Sequence, residues 1–294
     1  MYNKCLEYLL DYRPEKTISK FGCIARKVIN PVVRFTIPFL LPTKLEIIRR
    51  GSLPDKPVIF ASTHGFKEDI NDAVVIAGRQ AYILIGSLSQ IFKSADGLAA
   101  WAAGTILVDR MDKESRVTSK LKMVRALELG SSVIIFPEGT WNKSPNQMVS
   151  GLFPGIYDVA KKAGALVAPI ATHREGKKVY GIREEAFDIA AYDREEGMQV
   201  LKEKFGTMRW ELMERYSQVK RSEFPYGRAA EKYWKRHIDD LMAEVEFYDY
   251  EIELHTKFVD RTKVTTKEAF GHLKELEPKR ENVFLFDKRI SGRW

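Results

Sequence analysis

The chain has little that would let it fold by covalent staples or cross a bilayer. Its 294 residues contain two cysteines. These are Cys5 and Cys23, both near the N-terminus and in no metal-ligand spacing, which argues against a disulfide framework and against a metal site and fits a reducing, cytoplasmic setting. No apolar run reaches the ~20 residues needed to span a hydrocarbon core. The most apolar stretch of the first fifty residues, Val28 to Leu41, is interrupted by Arg34 and by the helix-disfavouring Pro31 and Pro38. It also starts too late for a cleaved leader, and no small-residue cleavage pattern follows it. Glycine-rich phosphate cradles, internal repeats and low-complexity tracts are absent. Of the histidines, His237, His255 and His272 are scattered among charged residues and form no ligand set.

What is present is a chain with 45% hydrophobic residues and a formal charge of +8, enough apolar content to bury a full core. The positive excess is local. Residues 1–50 hold ten Lys/Arg against four Asp/Glu, whereas residues 174–294 hold twenty-five of each. Nucleic-acid binding, which would rest on the overall charge alone, is disfavoured by that distribution. Lys20, Arg26, Lys27 and Arg34 interleave with Phe21, Ile24, Val28, Ile29 and Phe35, a pattern suited to a helical segment lying in an anionic membrane interface.

From about Lys56, short apolar runs alternate with helical stretches, as in an α/β domain. Strands are expected over Val58–Ser62, Tyr82–Gly86, Gly104–Val108, Ser132–Phe136 and Leu166–Ala171. Asp69 and Asp72 stand as N-cap and N3 residues ahead of an apolar run. Helical spacing recurs over Ser115–Leu129, stopped by Gly130, and over Ile156–Ala163 before Gly164. Beyond Arg174 the texture becomes long, charge-balanced helix, roughly Glu195–Arg221 and Arg228–Glu246. The resulting organisation is a basic helical segment over 1–50, an α/β core over 51–175 and a mostly helical extension over 176–294.

His64 and Asp69 lie five positions apart at a strand-to-helix junction. On one regular helix they would face away from each other, so the pair makes sense only with His64 in the loop and Asp69 at the helix start. There the carboxylate can hold one ring nitrogen and leave the other as a base, which is the base-plus-orienter half of a triad. Transfer of an acyl group to an alcohol needs no protein nucleophile, because the substrate hydroxyl supplies it.

His64-Gly-Phe-Lys-Glu-Asp69, Gly104-Thr-Ile-Leu-Val-Asp-Arg110, Phe136-Pro-Glu-Gly-Thr140 and Val167-Ala-Pro-Ile170 resemble, in order and spacing, the four motif blocks of the glycerolipid (lysophosphatidic acid) acyltransferase family. The resemblance covers about residues 55–175. It implies a mixed, mostly parallel sheet flanked by helices, and an O-acyltransferase with His64 as general base and Asp69 as its orienting partner. Arg110, Glu138, Gly139 and Thr140 would bind the acceptor. Arg110 offers a fork of donors suited to phosphate; Glu138, unable to bind phosphate, is assigned to an acceptor hydroxyl or to holding Arg110. The resemblance further implies a lysophospholipid-like acceptor, an acyl-CoA or acyl carrier protein thioester as co-substrate, and no metal or prosthetic group. The expected location is peripheral, on the inner face of the cell membrane.

Three positions depart from the family pattern. Thr63 stands where an asparagine is usual, Phe66 where a serine is frequent, and Pro154-Gly155 in place of a Lys-Gly pair. The last removes a cation from the expected phosphate region, for which Lys67, Lys143, Lys161 and Lys162 are candidate substitutes. The departures leave room for an amine or sugar acceptor, or for a membrane-surface binding protein without catalysis.

Overall fold

A computed structural model describes residues 8–9, 11–66, 68–86, 104–110, 112–142 and 148–216. A short helix α1 (Pro14–Thr17) leads into α2 (Lys20–Leu40), followed by strands β1 (Lys44–Arg50) and β2 (Ile59–Ser62). Helix α3 (Asp69–Ala77), strands β3 (Ala81–Ile85) and β4 (Thr105–Leu107), helix α4 (Lys113–Glu128) and strand β5 (Ser132–Ile135) come next. The described part closes with α5 (Gly155–Ala163), β6 (Val167–Glu175), β7 (Lys178–Arg183), a 3-10 turn at Ile189–Ala191 and α6 (Arg194–Tyr216). The expected helix at 228–246, most of the 176–294 extension, Cys5, Lys67 and Lys143 lie outside the described residues.

The seven strands form one sheet in the order β1-β7-β6-β2-β5-β3-β4. Every pairing is parallel except β6 with β7, so the expected mixed, mostly parallel sheet is the architecture found. The central strands are buried on both faces, which is why they read as unbroken apolar runs. Ile59, Ala61, Val133, Ile135 and Val167 pack on one side with α4, α5 and α6 residues such as Met123, Ile156, Leu201 and Phe205. Val58, Phe60, Ile134, Ala168 and Ile170 pack on the other with Ala73, Ile76 and Ala77 of α3. Connections leave the carboxyl ends of β2, β3, β4 and β5 toward one rim of the sheet, where ligands of open α/β sheets bind.

Two strands fall where helix was expected. Residues 44–50 form an edge strand, half-buried at Leu45, Ile47 and Ile48, rather than the end of the basic helical segment. Lys44, Glu46, Arg49 and Arg50 dominate its composition, but alternation of side chains on an edge lets them stay in water while Leu45 and Ile47 reach the core. Likewise β7 returns from β6 through a tight turn at Gly176, φ +59°, so the sheet crosses both expected domain boundaries.

Helix α2 is continuous through Pro31 and Pro38, in contrast to the break their presence implied. Each proline withdraws only its own N–H from the ladder, and the Thr36 hydroxyl donates back to the carbonyls of Val32 and Val33. Ser19 caps the helix start through Gly22 N–H. Phe21, Val28, Val32, Phe35 and Phe39 form an exposed apolar stripe, from 63% to 82% accessible. Among the described residues no helix is long and apolar enough to cross a membrane.

Candidate active site

β2 ends at Ser62, and the loop from Thr63 to Glu68 carries His64 to the sheet rim. His64 Nδ1 lies 2.9 Å from Asp69 Oδ2 and 3.0 Å from Oδ1, so the pair expected from spacing is formed. Asp69 is fully buried, and its Oδ2 also accepts the backbone N–H groups of Gly65 at 2.6 Å and Phe66 at 3.2 Å. This differs in detail from the expected N-cap. Asp69 is the first helical residue, Glu68 precedes it, and no side chain caps the α3 amides. The carboxylate turns back into the loop because three donors converge on it there. With Nδ1 engaged, Nε2 is the ring nitrogen left for the cavity that His64 lines. Thr63, in the usual asparagine position, is buried and its hydroxyl accepts Thr172 N–H at 3.3 Å, tying the loop to β6. Phe66 is also buried, and Arg174 lies over its ring with the guanidinium carbon 5.9 Å from the centroid.

The turn after β5 supplies the second support. Glu138, 3% exposed, accepts the His64 N–H at 3.0 Å through Oε1 and the Ser150 N–H at 2.8 Å through Oε2. Both oxygens are committed to backbone amides, and the side chain braces the loop that bears His64. Asn142 N–H closes the same junction by donating to the His64 carbonyl at 2.8 Å. Gly139 adopts φ +72°, and a Cβ there would sit 2.5 Å from the Phe153 ring, so glycine is required both by conformation and by space. Thr140 is half-buried and is not among the residues lining the cavity next to His64.

That cavity has a volume of about 440 Å³, within the range of ligand sites. Its wall is mostly apolar, with Leu84, Val108, Met123, Ile135, Phe136 and Ile156, and it also receives Gly139 and the expected Arg110. Gly86 lets Arg110 lie against the β3 end, since a Cβ there would be 2.2 Å from the guanidinium Nε. Three further cations line the same space: Arg116 and Lys120 from α4, and Arg194 from the start of α6. Lys120 and Arg194 share the Asp158 carboxylate, at 2.9 and 3.3 Å. Lys161 and Lys162, expected substitutes for the missing cation, are exposed in the last turn of α5, whereas Gly155 at its first turn lines the cavity.

The sequence marked Asp72 as a helix-start residue but not its burial, and it gave no sign of the charges that α6 brings near this site. Asp72, one turn along α3 from Asp69, is fully buried with neither carboxylate oxygen hydrogen-bonded. Burial, reinforced by Asp69 and Glu68 and opposed by Arg174, pushes its carboxyl up to about 7. Burial also raises the Glu138 carboxyl, against the opposing charge of Arg209 on α6. The Arg209 guanidinium is itself pulled down by burial and held up by Glu138 and Asp69. No group of His, Cys, Asp and Glu among the described residues is arranged to hold a metal ion.

The chain is similar to known proteins over its α/β part. Residues 43–173 match the family model described as Acyltransferase. The chain is 31% identical over 156 residues to a 1-acyl-sn-glycerol-3-phosphate acyltransferase of Chlamydomonas reinhardtii, covering 52% of this chain and 45% of that one. It is 29% identical over 136 residues to the chloroplastic 1-acyl-sn-glycerol-3-phosphate acyltransferase LPAT1 of Arabidopsis thaliana, covering 46% and 37%. The chain thus spans less than half the length of these relatives. The crystal structure of the 1-acyl-sn-glycerophosphate (LPA) acyltransferase PlsC from Thermotoga maritima superimposes with a TM-score of 0.52 at 18% identity, over 64% of this chain and 81% of that one. That likeness extends to the fold.

Proposed function

We propose, because residues 43–173 match the acyltransferase family model, that this protein transfers a fatty acyl group from a thioester to a hydroxyl of a lysophosphatidic-acid-like acceptor. The observation that carries the proposal is the imidazole of His64, anchored through Nδ1 by a buried carboxylate and lining an apolar cavity with cations on its wall. In this reading Nε2 takes the proton of the acceptor hydroxyl as its oxygen forms a bond to the thioester carbonyl carbon. The tetrahedral adduct then expels the thiolate by breaking the C–S bond, and the imidazolium returns the proton to sulfur. Asp69 keeps the ring oriented and stabilises its charged form during the transfer. General-base assistance of this kind contributes ~10²–10⁴-fold.

The lining favours an amphiphile. The apolar wall suits an alkyl chain, at ~0.8 kcal/mol per methylene withdrawn from water. Arg110, with Arg116, Lys120 and Arg194, suits the phosphate. Lys120 is the natural stand-in for the cation replaced by Pro154-Gly155, since a Cβ on Gly155 would be 3.9 Å from Lys120 Cδ. The donor is acyl-CoA or acyl carrier protein, and no prosthetic group takes part. The exposed α2 stripe, flanked by Lys20, Lys27 and Arg34, lays the protein on an anionic membrane, at its cytoplasmic face.

The test measures free thiol released from an acyl thioester. Release is expected only when a lyso-acceptor is present, and Arg110→Gln is expected to weaken use of the phosphorylated acceptor. Equal thiol release by wild type and His64→Ala, with both proteins bound to vesicles, would instead identify a surface-binding protein without catalysis.

A further inference from the structure

A carboxylate anchors one corner of the His64 ring but does not fix its tilt. Asp69 presents both oxygens to Nδ1, at 2.9 and 3.0 Å, so the hydrogen bond tolerates rotation of the imidazole about that contact while Nε2 swings out of line. A misplacement of about 1 Å at a reacting atom costs on the order of 10²-fold in rate. The remaining restraints come from one turn of chain, residues 136–142. Its backbone forms a clamp: Glu138 Oε1 accepts the His64 N–H at 3.0 Å, and Asn142 N–H donates to the His64 carbonyl at 2.8 Å. Its aromatic side chains meet the imidazole itself. The Phe136 ring lies 4.6 Å from it between centroids, tilted by 41°, and the Trp141 ring lies 6.2 Å from it in a T-shaped pair at 78°.

We propose that Trp141 is a positioning residue for His64: its indole, together with the Phe136 ring, fixes the imidazole in the orientation in which Nδ1 meets Asp69 and Nε2 meets the cavity. Tilted and T-shaped arrangements are the favoured ones for rings at these separations. Two aromatic planes inclined differently to a third block its rotation, whereas one plane alone leaves it free to slide. Trp141 is well placed for this, because the next residue, Asn142, donates to the backbone of the residue whose ring the indole meets. Gly139, at φ +72°, bends the turn so that Phe136 and Trp141, five positions apart, reach the same ring. The His64 side chain keeps 15% of its surface accessible, and it lines the cavity beside Phe136. Trp141 is half-buried and is not among the residues lining that cavity, so it acts through His64 and not on substrate.

The kinetic part of the test rests on the acyltransferase reading; the spectroscopic part does not. Carbon relaxation of the His64 ring C–H groups reads the confinement directly. In Trp141→Ala the ring order parameter is expected to fall from a rigid value, about 0.8 or above, to about 0.6 or below. In turnover, kcat falls roughly tenfold with the acceptor KM within about twofold of wild type. Trp141→Phe, which keeps an aromatic ring, recovers kcat to within about threefold of wild type. Trp141→Leu, which keeps apolar bulk without the ring, does not recover it. Hydrogen exchange at the His64 and Asn142 amides stays slow in all three variants, because the backbone clamp is untouched. A folded Trp141→Ala protein with wild-type ring order overturns the proposal, and so does a mobile ring with wild-type kcat in an active enzyme. Accelerated exchange at the His64 and Asn142 amides in every variant, Trp141→Phe included, also refutes it, since Trp141 would then merely hold the loop. Should Trp141→Ala not fold, the other two variants decide: ring order kept in Trp141→Phe and lost in Trp141→Leu supports the assignment, and equal order in the two refutes it. A wild-type protein without acyl transfer would defeat the reading of function, and the relaxation result would still decide the role of Trp141.

Discussion

Replacing Asp72 by asparagine should make the protein more stable in a way that grows with pH. In the folded state the carboxyl is fully enclosed, with neither oxygen hydrogen-bonded, and is raised from 3.8 to about 7. In the unfolded chain it ionises near its ordinary value. Between those two values the folded protein binds more protons than the unfolded one, so stability falls as pH rises through that window and levels off above it. A displacement of this size corresponds to roughly 4 kcal/mol, at 1.36 kcal/mol per pH unit. Asparagine keeps the shape and removes the ionisation. The advantage of Asp72→Asn over wild type should thus be small at pH 4 and grow by about 3–4 kcal/mol by pH 8. Urea denaturation at pH 4, 6 and 8 measures it, and taking the difference between the two proteins cancels the titrating groups that do not interact with Asp72. A difference that stays flat, or that shrinks toward pH 8, would refute the argument that this carboxyl is held neutral by burial.

Other expectations follow from the same geometry. His64→Ala should remove ~10²–10⁴-fold of acyl transfer, and Asp69→Asn should lose most of it too, because with its oxygen kept on the Gly65 and Phe66 amides its N–H₂ would face His64 Nδ1 and favour the tautomer whose Nε2 already carries the proton; single-turnover thiol release checks both. Gly139→Ala should cost about 1–3 kcal/mol in thermal or chemical melts, from the positive φ and the nearby Phe153 ring. Substituting Phe21, Val28 and Phe35 together by serine should leave melting almost unchanged, since all three are exposed. The same triple variant should weaken co-sedimentation with anionic vesicles by about tenfold or more, given ~1.5–3 kcal/mol for each large side chain buried; unchanged sedimentation would remove the role assigned to α2.

The central strands and helices α3, α4 and α5 were legible in the chain because their periodicities are local and their ends carry glycine or aspartate. Asp112 accepts the Glu114 and Ser115 amides at the start of α4, and Gly78, Gly130 and Gly164 take positive φ where helices stop. The His64–Asp69 pair was legible for the same reason, both partners lying in one turn of chain. Strands β1 and β7 were not: β1 is an edge strand that is mostly charged yet turns Leu45 to the core, and β7 is short, its buried Val179, Tyr180 and Ile182 standing between Lys178 and Arg183.

What the amino-acid sequence determined by itself is therefore the alternating α/β order, the His64–Asp69 pair and the basic apolar segment at the N-terminus. Only the tertiary structure decided that Glu138 accepts the amides of His64 and Ser150, that Lys120 and Arg194 reach the cavity, and that Asp72 stands fully buried one turn from Asp69. Burial and charge proximity are properties of residues distant along the chain, brought together by the sheet, and no local pattern of residue types encodes them.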